Sequence, residues 1–210
     1  MKPVPITVYS DYVCPWCYMA CASLEQVKQE VPLDIEWRAF ELHPVEIRRQ
    51  GDEAAMEEKR KMIAAMWPRV KRIAAERYGL DIEQGPFGID TRLAHIAAKA
   101  ARDMGAGDDF HLRVFERYWK KGDDIGRREV LLEIAASLDL DLDLFAERLD
   151  DVELLDEVLS DEGDASAIGV QGVPAMVIGQ KYLVSGAQTK DVLVRALKEY
   201  QATGSIGESR

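Results

Sequence analysis

Ile6-Thr7-Val8-Tyr9-Ser10-Asp11-Tyr12-Val13-Cys14-Pro15-Trp16-Cys17 is the stretch on which the reading of this chain turns. Ile6 to Tyr9 is a short β-favouring run ended by Ser10-Asp11, which predicts a buried first strand. Two cysteines separated by Pro-Trp follow at once, and from Cys17 to Glu30 there is neither proline nor glycine. Cys17, Cys21, Leu24 and Val27 fall at helical spacing until Pro32 stops the pattern. Strand, cysteine turn and helix therefore follow one another without a linker.

Beyond the helix, Leu33-Asp34-Ile35-Glu36-Trp37-Arg38-Ala39-Phe40 alternates apolar and charged residues, the period of a strand with one buried face. This completes a βαβ unit. From about Gly51 to Ser166 the period changes to that of helices, with breaks predicted at Pro68, Gly79, Gly85 to Gly88, Gly105 to Gly107 and Gly122 to Gly126. Roughly five to seven helices fit there, two of them capped by Asp90-Thr91 and by Asp108-Asp109. The aromatic stripe Phe110, Val114, Phe115, Tyr118 and Trp119 reads as packing of one helix on its neighbours. Strand signals return at Val173 to Ile178 and Lys181 to Val184, joined by Gly179-Gln180 in what a leading glycine predicts to be a type II′ turn. Gln188 or Thr189 opens a last helix through about Tyr200.

The order βαβ, helical block, ββα places the chain in the α/β class, with the two outer pieces sharing one sheet. The expected division is a discontinuous domain of residues 1–50 and 167–203, an inserted all-helical domain of residues 51–166, and a loose tail of residues 204–210. A chain of 210 residues, 47% hydrophobic and 31% charged, is within the globular range and buries roughly 70% of its unfolded surface.

A net charge of −11 repels phosphate backbones and anionic headgroups, so neither nucleic acid nor a membrane surface is an expected partner. No apolar run approaches the eighteen or so residues of a spanning helix. Met1-Lys2-Pro3-Val4-Pro5 breaks any helix with two prolines and leaves no room for a secretory segment, so the chain is expected to be cytoplasmic. Three cysteines confined to Cys14–Cys21 cannot tie distant segments together, which makes them chemical rather than architectural.

Disulfide exchange needs one attacking thiolate and a second sulfur close by, and a CxxC across a helix start supplies both. Cys14, the outer sulfur, faces unpaired N–H groups and the positive end of the helix dipole, which favour its thiolate. Pro15 suits a first-turn position, where a missing N–H costs nothing. Cys17 turns toward the core, where desolvation keeps it protonated until it attacks, and is the resolving thiol. Trp16 adds no cation beside Cys14; it either packs on the surface or forms a platform for a peptide or glutathione. Cys21 reads as a small buried hydrophobe. The cysteines lack a nearby fourth ligand, and His43, His95 and His111 are scattered, so no metal is expected.

Asp11-Tyr12-Val13-Cys14-Pro15-Trp16-Cys17-Tyr18, Trp37 to Leu42, Asp124-Ile125-Gly126, Gly169 to Pro174 and Val184 to Gln188 together resemble the thioredoxin-fold proteins of the DsbA type, within them the FrnE-like branch. The resemblance spans nearly the whole chain. It implies a thioredoxin-like fold with a helical insertion that shapes a substrate groove. It also implies that Pro174 is a cis-proline beside the active site, where Val173 offers its backbone to an incoming chain; without it, Pro174 reads as a trans proline opening an edge strand. His43 stands where that branch would carry an asparagine-like residue, and it is left out of the catalytic set.

The expected function is thiol–disulfide exchange through Cys14 and Cys17, with Pro15, Trp16, Val173 and Pro174 contacting a disulfide-containing protein or a small thiol. No bound cofactor is expected; glutathione or another thiol serves as redox partner. Cytosolic redox poise favours reductase or isomerase action over net oxidation. Two alternatives remain: a glutathione-dependent transferase or isomerase of a small organic molecule, similar to kappa-class transferases and chromene-carboxylate isomerases, and a non-catalytic peptide-binding module.

Overall fold

The computed structural model describes residues 2–44 and 53–207. The chain runs β1 (Val4–Ser10), α1 (Pro15–Val27) and β2 (Leu33–Ala39). Next come α2 (Glu53–Tyr78), α3 (Arg92–Asp103), α4 (Gly107–Lys121), α5 (Arg128–Ala136), α6 (Leu142–Arg148) and α7 (Val152–Ala167). Finally it forms β3 (Ala175–Ile178), β4 (Tyr182–Ser185) and α8 (Lys190–Thr203). The anticipated boundary at residues 50 and 51 lies outside the described residues, as do residues 208–210 of the anticipated tail. Of that tail, the Ser205 N–H donates to Thr203 Oγ1 at 3.1 Å and the Gly207 N–H to Glu199 Oε1 at 3.0 Å.

The sheet has the order β2-β1-β3-β4, with β1 parallel to β2 and antiparallel to β3, and β3 antiparallel to β4. This is the thioredoxin-like α/β arrangement that the resemblance implies. Ile6 sits opposite both Ile35 and Ile178, and Val8 opposite both Trp37 and Met176, so strand alternation aligns one apolar face across the sheet. Val4, Ile6 and Val8 pack there with Leu24 and Val27 of α1 and with Leu193 and Leu197 of α8.

The opposite side of α1 belongs to a second core. Cys17, Tyr18 and Cys21 join Phe110, Phe115 and Trp119 in the hydrophobic interior of the helical layer. Helix α1 therefore lies between two cores, which fixes its N-terminus, and the cysteines at it, from both sides. On the far flank, Asp161 of α7 accepts the Ala39 N–H of β2 at 2.9 Å and the Lys99 ammonium of α3 at 2.7 Å. That buried ion pair fastens the helices to the edge of the sheet.

Three local expectations are corrected. Pro68 does not break a helix but lies within α2, where the carbonyl it deprives of a partner belongs to exposed Ala64 and can turn to water. Asp108 and Asp109 occupy the first turn of α4, and Ala106 is the residue at its N-cap. The hairpin turn is type I′, not II′, because Gly179 (φ 61°) and Gln180 (φ 59°) are both left-handed, the twist that flanking strands prefer. A Cβ at Gly179 would also overlap the Tyr200 hydroxyl, so glycine is needed there twice over.

Candidate active site

Cys14 occupies the N-cap of α1 with an extended backbone (φ −93°, ψ 115°), and Pro15 follows in the first turn. The Cys14 carbonyl accepts the N–H of Cys17 at 3.0 Å and of Tyr18 at 3.3 Å, while its own N–H donates to the Asp11 carbonyl at 3.1 Å. This tight turn carries the chain from β1 into α1. Its thiol donates to the Val173 carbonyl at 3.6 Å, a contact between residues 159 positions apart. The Val173–Pro174 bond is cis. Cys14 is 4% exposed, so the sulfur lies at the floor of the site rather than on an open surface.

Cys17 is fully enclosed and its Sγ accepts the Asp11 N–H at 3.5 Å. Burial pushes its thiol well above the ordinary range, and a hydrogen bond with Cys14 and that neighbour's charge push the same way. One sulfur at a helix cap beside a carbonyl, with a second, protonated sulfur behind it, is the disposition a two-step exchange requires. All three cysteines are free thiols. Cys21 lies buried in the second core, and burial raises its thiol as well.

The segment ahead of Cys14 is braced by residues that the sequence pattern does not mark as a group. Asp11, fully buried, accepts the Leu42 N–H at 2.7 Å, and the Trp119 indole of α4 donates to the Tyr12 carbonyl at 2.9 Å. Tyr12 Oη and His111 Nδ1 are hydrogen-bonded at 2.8 Å, and His111 stacks on Trp37 at 3.9 Å between ring centres. Burial holds the His111 imidazole well below its usual range, so it is neutral at pH 7. His95 Nε2 stands 3.5 Å from Asp11 Oδ1. Two histidines on separate helices meet one tyrosine only after folding, and no spacing rule brings them together.

A groove of about 280 Å³ opens beside Cys14. Pro15 and Trp16 form its near wall, Trp67 of α2, Phe87 and Trp119 its far side, and Lys59 and His43 its polar end. Trp67 and Trp119 stack at 5.9 Å. The Tyr118 hydroxyl anchors the loop bearing Phe87 through the Pro86 carbonyl at 2.9 Å, and the ring lies so close to Gly85 that a Cβ there would clash. Trp16 is 36% exposed, in keeping with a surface that an incoming molecule can cover. The Val173 carbonyl meets Cys14, and neither Val173 nor the Pro174 that follows it is among the residues that line this groove. Among the described residues no three His, Cys, Asp or Glu side chains are grouped to hold a metal ion, and no helix is long and apolar enough to cross a membrane.

The sequence profile of the DSBA-like thioredoxin domain family matches residues 5–198. Uncharacterized protein YwbO of Bacillus subtilis (strain 168) is 26% identical over 204 residues, covering 94% of this chain and 98% of that protein. The structure of 2-hydroxychromene-2-carboxylate isomerase superposes with a TM-score of 0.78 at 19% identity, covering 95% of this chain and 98% of the other. The cytosolic disulfide reductase DsbM from Pseudomonas aeruginosa superposes with a TM-score of 0.70 at 22% identity, covering 96% of this chain and all of the other. DsbM has also been solved with GSH. At these identities the likeness to the solved structures is one of fold.

Proposed function

Since the chain belongs to the DSBA-like thioredoxin domain family, we propose that it exchanges disulfides through Cys14-Pro15-Trp16-Cys17, with Cys14 as nucleophile and Cys17 as resolving thiol. The observation that carries this reading is the pairing itself: Cys14 at the cap of α1 in contact with the Val173 carbonyl, and Cys17 buried and protonated behind it.

The Cys14 thiolate attacks one sulfur of a substrate disulfide, forming a mixed disulfide and expelling the other sulfur as a thiolate. Cys17 then loses its proton and attacks Cys14 Sγ, releasing the second substrate thiol. The protein dithiol gives up two electrons and the substrate disulfide gains them. Pro15 and Trp16 border the entry, while Val173 and Pro174 flank the sulfur; the Val173 carbonyl that holds the resting thiol is free to pair with a peptide once Cys14 is engaged.

Reduction or isomerisation suits the site better than net oxidation. Trp16 places no positive charge between the cysteines, and a cytoplasmic setting, which the likeness to a cytosolic disulfide reductase supports, is too reducing for an oxidant to stay charged. Glutathione or a similar thiol recycles the pair without being a resident cofactor; that DsbM has been solved with GSH supports a thiol of this kind as partner. The likeness to 2-hydroxychromene-2-carboxylate isomerase favours a second reading, glutathione-dependent isomerisation in the groove, which has no use for Cys17.

A redox titration against glutathione buffers, with the thiols counted by alkylation and mass, separates the two. Exchange predicts a reversible two-electron transition that disappears in Cys14→Ser and survives in Cys21→Ser. Failure to form a disulfide, together with glutathione binding unchanged in Cys14→Ser, would give the case to the isomerase reading.

A further inference from the structure

We propose that the groove beside Cys14 selects small disulfides whose sulfur carries an aromatic ring bearing a carboxylate. This assignment of substrate class rests on the exchange reading and adds to it a binding determinant, Lys59, remote from the cysteines in sequence.

Size comes first. A cavity of ~150 Å³ is enough to hold benzene, and the groove offers about 280 Å³. One substituted ring fits, with its sulfur directed at Cys14. The walls come second. Trp16, Trp67, Phe87 and Trp119 line this space with aromatic surface, which favours a flat apolar body over an aliphatic or peptide-like one.

Charge comes third. Among the described residues no aspartate or glutamate lines the groove, in a protein whose net charge is −11. Lys59 lies in its wall and contacts the His43 ring at 3.2 Å. Among the described residues it has no carboxylate partner, whereas nearby Arg60 pairs with Glu57 and Lys71 with Glu83. Among the described residues the Lys59 ammonium therefore stands against apolar walls without a counter-ion, and a carboxylate on the bound ring supplies one. The same environment disfavours a cationic disulfide. Glutathione disulfide brings carboxylates to Lys59 but only polar flexible arms, and no ring, to the aromatic walls.

The reaction is balanced. An aryl disulfide is reduced to two aryl thiols as the Cys14–Cys17 dithiol is oxidised to a disulfide, and repeated turnover consumes an added dithiol such as dithiothreitol.

The test uses the full reduced chain in rapid-mixing experiments with four reagents. These are 5,5′-dithiobis(2-nitrobenzoate), which has ring and carboxylate; 4,4′-dithiodipyridine, a ring alone; 3,3′-dithiodipropionate, a carboxylate alone; and glutathione disulfide. Each rate is divided by that reagent's rate with free dithiothreitol, which removes intrinsic reactivity. The nitrobenzoate is expected to exceed the other three at least tenfold on this scale and to saturate. Lys59→Met should cut its rate about tenfold more than that of dithiodipyridine, and Lys59→Arg should restore it. Equal normalised rates for all four, or a Lys59→Met loss shared equally among them, would overturn the proposal while leaving exchange intact. If no reagent joins Cys14 to Cys17, the exchange reading itself fails. Calorimetry then still examines the groove, using the unreactive S-methyl ether of the same aryl carboxylate with Cys14→Ser: binding lost in the added Lys59→Met upholds the aryl-carboxylate site, and no binding removes it.

Discussion

Lowering the pH from about 7.5 to about 5.5 should weaken the fold through His111, by an amount that follows from its surroundings. The imidazole is 3% exposed, stacked on Trp37 and edge-on to Phe115, and its Nδ1 is held by the Tyr12 hydroxyl. Burial, with lesser contributions from the charges of His95 and Lys28, keeps it neutral well below its ordinary value of 6.5. In the unfolded chain the same ring titrates near that ordinary value. Between the two values the unfolded state binds the extra proton, so this stability is complete above about pH 6.5 and is lost as the pH falls toward the folded value. The slope for one proton is about 1.4 kcal/mol per pH unit, a large fraction of the 5–15 kcal/mol or so typical of a domain. Urea unfolding at a series of pH values measures it, with His111→Phe as the comparison. Phenylalanine fills the ring slot and cannot ionise, but it leaves the Tyr12 hydroxyl without its partner, so that variant should begin about 1 kcal/mol less stable at neutral pH. Its stability should then fall less steeply than the native protein's by about 1.4 kcal/mol per unit below pH 6.5. Parallel slopes in the two proteins would show that His111 does not stay neutral in the fold, and the reasoning would be wrong.

Asp161→Ala would strand the Lys99 ammonium and the Ala39 N–H in a site only 7% exposed, with Glu157 at 3.6 Å the remaining partner of Lys99. A loss of about 3 kcal/mol in urea unfolding is expected; a loss under about 1 kcal/mol would mean that the pair is solvated. Gly179→Ala forces a left-handed alanine against the Tyr200 hydroxyl and should cost about 2 kcal/mol of stability; a neutral result would contradict the type I′ assignment. Cys21→Ala removes one buried sulfur, for about 1 kcal/mol of stability, and should leave the two-electron titration unchanged. Loss of that transition would instead make Cys21 a redox partner.

The parts of the fold that were legible in sequence are those whose signal is local. The run Ile6 to Tyr9, the CxxC and the alternation after Leu33 mark β1, α1 and β2 because strand and helix periods act over a few residues. Pro68 misled because a proline's cost depends on whether the carbonyl it orphans can reach water, and burial is not written beside it. Gly179-Gln180 marked a hairpin correctly, but a leading glycine fits either primed turn, and here the sheet's twist and Tyr200 decide. The cysteines could be named from their spacing, whereas the Val173–Pro174 pair could be named only through the family resemblance. The groove could not, since Lys59 and Trp67 share one face of α2 whereas Phe87 lies in a loop and Trp119 on α4, and no local period brings these three pieces together. His43 illustrates the same limit: one residue in a loop gives no period, yet it stands at the polar end of the groove.

The contact between Cys14 and Val173 spans 159 positions, and it bears on how the protein is made. At ribosomal rates of about 5–20 residues per second, that interval corresponds to roughly 8–30 s of synthesis. Throughout it the nascent chain carries both cysteines but lacks β3, the strand that pairs with β1 from Ile6 to Tyr9. The sulfurs are therefore open to oxidants and to each other's wrong partners before the walls that restrict them exist. The carbonyl that holds the Cys14 thiol arrives only with the last strands, and a growing chain stalled before Val173 would carry the groove's residues but leave that thiol without its restraint.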